Sequence, residues 1–462
     1  PFQKTEYFDM QDAIIIGGGI SGLTAGYLLQ QRGLDISVIE KGQTPGGPIQ
    51  SVKQEGFLFE KGPNALLLPS QWVEQFIDEL GLSTQLQESN PNAAKRFIVR
   101  NNRPVAVPGS LLQAVATRLF SLKAKLGFLG EPFRKRISDE DAKFETVAQF
   151  VQRRMGLEFL DYAINPFVSG VYAGDPEELI LEHAFPLMRG FERDDGSIIR
   201  GAIQNKKRQK AAGTSYKKRS ISFKEGLHAL PQTLGRKLGN RLWLDSEVVA
   251  INQNDQGWQV TWKRDGENFE GFAKKLLVCL PSRAIKKLAW PQAIKEHLSS
   301  TPDLPHPTVH SLALGYRRDQ IAHPLDGFGV LVPSKEDPNI LGVLFSSDLF
   351  SGRAPDDHCL ITVMIGGRQR DDLANLAKEA LIELAAKDLD KLLGVKGAPC
   401  FSHLTTWPRA IPQYTKAFGP WKRTLADIET DNPNIAFGGH AIDGIAMGAS
   451  IQSGKRLADE TA

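Results

Sequence analysis

Gly17-Gly18-Gly19-Ile20-Ser21-Gly22 forms a G-x-G-x-x-G, and Glu40 follows Gly22 by 18 residues. These residue types at this spacing suit a dinucleotide. Gly17 permits a tight turn, Gly19 lets the backbone approach a pyrophosphate, and Gly22 lets a helix pack closely on a strand. An acid at the position of Glu40 can accept hydrogen bonds from ribose hydroxyls. Gly-rich turns are common by themselves, so the reading depends on the elements that position this one.

Those elements fall in the right order. Ala13-Ile14-Ile15-Ile16 has the length and β-branching of a buried parallel strand and runs straight into the glycines. Residues 23–31 are expected to be helical, with the helix N-terminus offering unpaired N–H groups and a positive dipole end to phosphates. Ile36-Ser37-Val38-Ile39 is a second β-branched run, and it ends on Glu40.

The bulk composition excludes several function classes. The chain has 462 residues, which calls for two or three domains. A net charge of +3 is too small to imply nucleic acid as a partner. Cys279, Cys359 and Cys400 lie far apart and suggest a reducing compartment without structural disulfides. The nine histidines show no metal spacing; His306 and His310 are four apart, but Pro305 and Pro307 argue against a shared helix face. No apolar run reaches the ~18–20 residues of a spanning helix. Residues 1–10 read as neither a signal nor a transit peptide.

Along the chain, 72–80 is expected to be a helix stopped at Gly81, and 91–190 to be mostly helical. Leu111, Val115, Leu119, Leu122, Leu126 and Leu129 form an apolar stripe flanked by Arg118, Lys123, Lys125, Arg134, Lys135 and Arg136. This is either an ordinary core helix or a monotopic membrane surface; pattern alone favours the core. Residues 165–176 read as a loop by their Gly and Pro content, and 205–219 as a solvated basic loop. A helix is expected within 223–238, antiparallel strands at 243–251 and 258–262, and a buried strand at 276–281. Four β-rich runs at 309–316, 327–332, 340–345 and 359–365 suggest a mainly antiparallel sheet, the floor of a substrate cavity. A long helix over 373–393, a rigid segment at 407–414, a strand at 434–440 and a helix over 444–458 complete the pattern.

The acid at Glu40, the pair Gly46-Gly47 and Glu60-Lys61-Gly62-Pro63-Asn64 together resemble the flavin-dependent amine oxidase superfamily, which implies FAD rather than NAD. At Gly170-Val171-Tyr172-Ala173-Gly174-Asp175-Pro176 the resemblance narrows to the oxygen-dependent protoporphyrinogen IX oxidase family. It extends through Lys95-Arg96-Phe97, Gly196-Ser197-Ile198-Ile199, Gly327-Phe328-Gly329-Val330, Leu344-Phe345-Ser346-Ser347, Arg353-Ala354-Pro355 and Trp407-Pro408-Arg409-Ala410-Ile411-Pro412-Gln413-Tyr414, in order over about residues 11–458.

The resemblance implies an α/β (α+β) fold: a Rossmann-like FAD-binding domain, a mixed-sheet substrate domain and a helical membrane-associated domain. The FAD-binding domain is expected from 1–90, 220–255 and 409–462. The helical domain is expected over 91–190, a connecting segment with the basic loop over 191–219, and the substrate domain over 256–408. It also tips the stripe at 111–129 toward a membrane surface.

Carried over residue by residue, Arg96 matches an arginine that pairs with a substrate propionate; a planar guanidinium suits that because it binds carboxylates bidentately. Leu331 and Leu344 match apolar residues that sandwich a pyrrole ring. Met364 stands where the family often has an aromatic residue, although Met can also cover a flat ring. Ala173 and Gly174 match backbone bordering the macrocycle. For the cofactor, the loop of Gly47 is expected near the pyrophosphate, Gly62, Pro63 and Asn64 by the flavin ring, Val248 at the adenine end, and Ile445, Ala446 and Met447 at the flavin carbonyl edge. Further cofactor contacts are implied for Ile20, Ser21, Lys41, Ala65, Trp407, Gly439 and His440. His440 departs from the family's usual Asn, which puts flavin tuning in question.

The activity implied is a six-electron oxidation of protoporphyrinogen IX to protoporphyrin IX, in heme or chlorophyll biosynthesis. Three hydride transfers would go to the flavin, with dioxygen reduced to three molecules of hydrogen peroxide. The tetrapyrrole and O2 are the expected partners, with peripheral membrane contact facing cytoplasm, plastid stroma or mitochondrial intermembrane space; a homodimer is allowed. Neither composition nor spacing identifies an acid–base pair. The alternatives are a coproporphyrinogen III oxidase, whose four-carboxylate substrate calls for more cationic groups than Arg96, and a non-catalytic flavin- or porphyrin-binding protein.

Overall fold

The computed structural model describes residues 5–213 and 216–462, with the side chains of residues 5–8 and of Leu111 also left out. Thr214 and Ser215 of the expected basic loop, and residues 1–4 of the N-terminal stretch, lie outside the described residues.

Two seven-stranded mixed sheets carry the fold. In the first, Thr5–Ile16 lies between Ile36–Ile39 and Glu267–Val278, parallel to both. Ile14 and Ile16 enter one buried cluster, whereas Ala13 and Ile15 enter another. Both faces are covered there, which is why this strand's last four residues, Ala13–Ile16, form a continuous apolar run rather than an alternating one. Helices Ile20–Gln31, Ala229–Leu238 and Met447–Asp459 supply one cover. Helix Phe418–Asp431, through Trp421, Leu425 and Ile428, contributes to the other.

Strands Gly257–Arg264 and Glu267–Val278 also belong to this first sheet. Residues 256–278, expected in the substrate part, therefore sit with the nucleotide elements. Alternating Trp258, Val260 and Trp262 bury against the first sheet's own core, and this fixes the hairpin there.

The second sheet has the order Phe401–Trp407, Val309–Arg317, His358–Gly366, Gly342–Leu344, Gly327–Leu331, Lys95–Arg100 and Arg103–Ala106. The four expected β-rich runs are all present. Residues 95–106, expected to be helical, instead form a hairpin that extends this sheet, with Lys95–Arg100 parallel to Gly327–Leu331. Phe97, Val99, Leu312, Leu314, Val330, Val343, Phe345, Val363 and Ile365 line one face under helix Lys378–Leu393. On the opposite face, Ala313 and Leu360 are covered by Phe57, Phe59 and Phe401, and Ile98 packs with Leu119 and Tyr162.

Three local expectations change. Asn165–Tyr172 is a helix rather than a loop: Pro166 stands in its first turn, where its missing N–H is harmless, and left-handed Ala173 (φ +49°) ends it. Ile198–Ala211 is also a helix, so the basic stretch is helical up to Ala211; Ser197 Oγ accepts the Arg200 N–H as its cap, and Lys and Arg are good helix formers.

The apolar stripe splits into helices Leu111–Ala116 and Leu122–Leu129, because Ser110 and Ser121 each cap a separate start. Leu119 is buried, but Leu112 (85% exposed), Val115 (76%), Leu122 (73%), Leu126 (60%) and Leu129 (67%) face outward. A core helix buries such residues, so the core reading of the stripe fails.

Candidate cofactor and substrate site

The opening strand delivers the chain into the Gly loop. Gly17 has φ +109°, and a Cβ there would sit 2.5 Å from the Cys279 carbonyl oxygen. A Cβ on Gly22 would lie 2.0 Å from the Gly17 carbonyl oxygen. Gly19 differs, with nothing within 4 Å of its Cβ position. It is the N-cap of Ile20–Gln31 and gives no side-chain cap, so the first-turn N–H groups have no capping side chain among the described residues. This combination of close packing under the loop and room above it fits a pyrophosphate.

Glu40 does more than was expected of it. Its carboxylate accepts the Gly18 N–H and the Gly42 N–H, both at 2.7 Å, and so pins the loop. A carboxylate has about four acceptor sites, which leaves capacity for ribose hydroxyls. The Gly46 N–H donates to the Gly18 carbonyl at 2.8 Å, stitching the second Gly pair to the first; Gly47 (φ +59°) has open space at its Cβ position. Ser246 N–H donates to the Glu40 carbonyl, which brings the start of the Val248 strand to the same end. Lys41 is exposed, 3.9 Å from Glu247, and does not join the loop.

The last helix closes the cradle. Ser21 Oγ donates to the Ser450 carbonyl at 2.8 Å, and Gly439 N–H donates to Ser453 Oγ at 2.7 Å. Ala446, the N-cap of Met447–Asp459, provides no side-chain cap, so a second set of helix N–H groups, beside Ile445 and Met447, has no capping side chain among the described residues. Burial, with His306 adding to it, pushes the His440 imidazole down to about 4. This holds the His440 ring neutral near pH 7.

A Cβ on Gly62 would come 2.1 Å from the Pro48 carbonyl oxygen, and Asn64 Nδ2 donates to the Gly62 carbonyl. Trp407 Nε1 donates to the Lys61 carbonyl at 2.8 Å, tying this turn to the second sheet. Pro63 is half-buried beside it, and Ala65 packs toward Ala93, Leu349 and Phe350. Glu60 itself is buried against Ser51, Leu227 N–H and Arg353, a structural role.

Strand register gathers the residues expected to hold a substrate. Arg96, Gly329, Leu344 and Thr362 are cross-strand neighbours in one row, and Ile98, Leu331, Gly342 and Met364 in the next. The rows are two residues apart, so all eight share the face opposite the sheet's core. Arg96 is exposed, its guanidinium 5.1 Å from the Phe328 ring centroid, and it enters no ion pair among the described residues. Helix Asn165–Tyr172 crosses at Gly170, where a Cβ would lie 2.4 Å from Leu331 Cδ2. Met364 packs on the cluster of Ala173, Val309 and Leu341.

One residue had no assigned role. Gln413 is fully buried; its Nε2 donates to the Tyr172 and Ile411 carbonyls, while its Oε1 has no partner and lies 2.5 Å from where a Gly174 Cβ would be. Its one sequence signal was its place in the Pro-limited segment 407–414.

The family model of flavin containing amine oxidoreductases matches residues 20–462. Protoporphyrinogen oxidase 2, chloroplastic/mitochondrial, of Arabidopsis thaliana is 33% identical over 96% of this chain and 92% of its own. Coproporphyrinogen III oxidase of Bacillus subtilis is 23% identical over 96% of each. A crystal structure from Exiguobacterium sp. 255-15 superposes with a TM-score of 0.78 at 21% identity, covering 99% of this chain and 98% of that one. The chain belongs to the flavin-containing amine oxidoreductases and is an FAD-dependent oxidoreductase.

Proposed function

We propose that this protein oxidises protoporphyrinogen IX to protoporphyrin IX, removing six electrons and passing them to three molecules of dioxygen as hydrogen peroxide. The observation that carries this is the shared face of Arg96, Leu331, Leu344 and Met364, bordered by Ala173. It offers one unpaired cation and a broad apolar surface, which suits a flat, mostly apolar ring with propionate arms. On this reading the first sheet holds the cofactor, the second sheet holds the macrocycle, and the helices after residue 107 cover it.

Bound FAD supplies the hydride acceptor. Arg96 orients one propionate, Leu331 and Leu344 grip a pyrrole ring, and Met364 covers the ring toward Ala173. No carboxylate stands in the two rows, so the face works by position and water exclusion rather than by a general base. Arg96→Leu should raise KM for protoporphyrinogen about 10–100-fold, the loss of a charge-assisted bidentate contact, with the flavin spectrum unchanged. An unaltered KM would remove Arg96 from the site.

The coproporphyrinogen reading has one specific observation in its favour. A cleft of about 900 Å³ on the Arg96 hairpin is lined by Lys95, Arg100, Arg103 and Arg118. Lys95 pairs with Asp326 and Arg100 with Glu158, but Arg103 and Arg118 enter no ion pair among the described residues. Aerobic turnover of both porphyrinogens side by side, followed by porphyrin fluorescence and peroxide, decides between them. Flavin absorbance with neither activity would leave a binding protein.

Peripheral membrane contact completes the proposal. No helix among the described residues is long and apolar enough to cross a membrane. The outward Leu112, Val115, Leu122, Leu126, Leu129 and Phe133, with exposed Lys123 and Lys135 nearby, suit insertion into an interface that carries anionic headgroups. Leu122→Glu/Leu126→Glu should cut co-sedimentation with anionic vesicles about tenfold or more while flavin content stays the same. Equal sedimentation would assign these leucines elsewhere.

A further inference from the structure

A second cleft, of about 270 Å³, is lined by Arg283 and Lys286 of helix Ser282–Lys287, by Asp303 and His306, and by Arg409. It is too small for a tetrapyrrole. Lys286 Nζ donates to Asp303 Oδ1 at 2.6 Å and to the Thr301 carbonyl, so Lys286 and Asp303 neutralise each other. Arg283 and Arg409 enter no ion pair among the described residues, and Arg283 Nη1 is buried with no hydrogen-bond partner. The cleft therefore carries two uncompensated guanidinium groups.

Its other orphan is an acceptor. His306 Nδ1 lies 2.8 Å from the Leu304 carbonyl. A carbonyl only accepts, so Nδ1 bears the hydrogen. Burial holds the ring below its ordinary pKa, although the Leu304 bond and Asp303 oppose that, so it stays neutral near pH 7. His306 Nε2 is then a bare lone pair, buried and unpartnered. Such a group needs a donor, whereas the arginines need an anion.

We propose that this cleft binds a small oxyanion that keeps a hydroxyl at neutral pH, hydrogen phosphate being the simplest. Its oxygens accept from Arg283 and Arg409, and its hydroxyl donates to His306 Nε2. Sulfate has the charge but no hydroxyl. The site joins a helix of the first sheet to the segment whose Trp407 holds the Lys61 carbonyl, and His306 in turn acts on His440. The assignment is independent of which porphyrinogen is oxidised.

The test is calorimetric titration of the FAD-loaded protein with inorganic phosphate at constant ionic strength near neutral pH, with sulfate as comparator. Saturable one-site binding is expected, at least about tenfold tighter for phosphate than for sulfate. Arg283→Gln and Arg409→Gln should each weaken it about 10–100-fold, and His306→Phe should abolish the preference over sulfate. Arg409 is exposed, so its variant keeps the fold and decides the matter if the Arg283 variant does not fold. Absence of saturation, unchanged affinity in the Arg409 variant, or equal binding of sulfate overturns the proposal. So does binding to the flavin-free protein alone, since the cleft would then be part of the cofactor's own site.

Discussion

Gly19→Ala should yield a protein that folds normally but purifies colourless, whereas Gly22→Ala should lose both flavin and stability. The two glycines belong to one motif but face different neighbours. A methyl on Gly19 meets no protein atom within 4 Å and projects into the space above the uncapped helix. It can only obstruct the ligand. Losing two charge-assisted hydrogen bonds to the pyrophosphate, about 1.5 kcal/mol each, would lower FAD affinity roughly 100-fold. A methyl on Gly22 lands 2.0 Å from the Gly17 carbonyl oxygen, with Ile15 also close. Helix and strand must then separate, an overpacking cost of about 3 kcal/mol. Flavin absorbance against protein absorbance, and melting temperature of the flavin-free proteins, check both claims. A Gly19→Ala protein that holds stoichiometric FAD would show that the pyrophosphate lies elsewhere.

Arg154→Met should be the most destabilising substitution away from the cofactor, by about 3–5 kcal/mol. Arg154 and Glu131 are both fully buried and paired. Arg154 also donates to the Arg134 carbonyl at 2.8 Å and the Gly196 carbonyl at 3.0 Å, and lies 3.5 Å from Glu192. Glu131 accepts Ser197 Oγ and the Ile198 and Ile199 N–H groups, so it anchors the start of Ile198–Ala211. Removing the arginine leaves buried carboxylate charge under-compensated.

The same network sets an acid limit. Burial alone would raise the Glu131 carboxyl, but hydrogen bonds from Ser197, Ile198, Ile199 and Arg154 outweigh it and hold it below 4.5. A carboxyl lowered in the folded state contributes stability above its unfolded value and loses it as pH falls through the folded one. Melting temperature should therefore fall below about pH 4.5 in the wild type. In Glu131→Gln it should start lower and depend less on pH across that window. Parallel curves for the two proteins would remove Glu131 from the acid transition.

Much of this molecule is local and hence legible in the chain itself. Ala13–Ile16, the glycines, the helix after them and Glu40 lie within one stretch, and their spacing sets which atoms can meet. The four β-rich runs were legible for the same reason, since each is a short β-rich stretch bounded by turn residues. The family resemblance added residue roles that periodicity cannot supply.

What the chain could not show was decided by pairing between distant segments. Arg96 lies on the same face as Leu331, Leu344 and Met364 only because Lys95–Arg100 pairs in parallel with Gly327–Leu331. A one-residue slip would turn Arg96 into the core under helix Lys378–Leu393. Likewise the stripe of Leu122, Leu126 and Leu129 has the period of a core helix. Periodicity says that one face is apolar but not what covers it, and the rest of the described chain does not. Arg283, His306 and Arg409 have no sequence pattern in common. The fold brings three separate segments to one cleft, and only burial there leaves a guanidinium nitrogen and an imidazole nitrogen without partners.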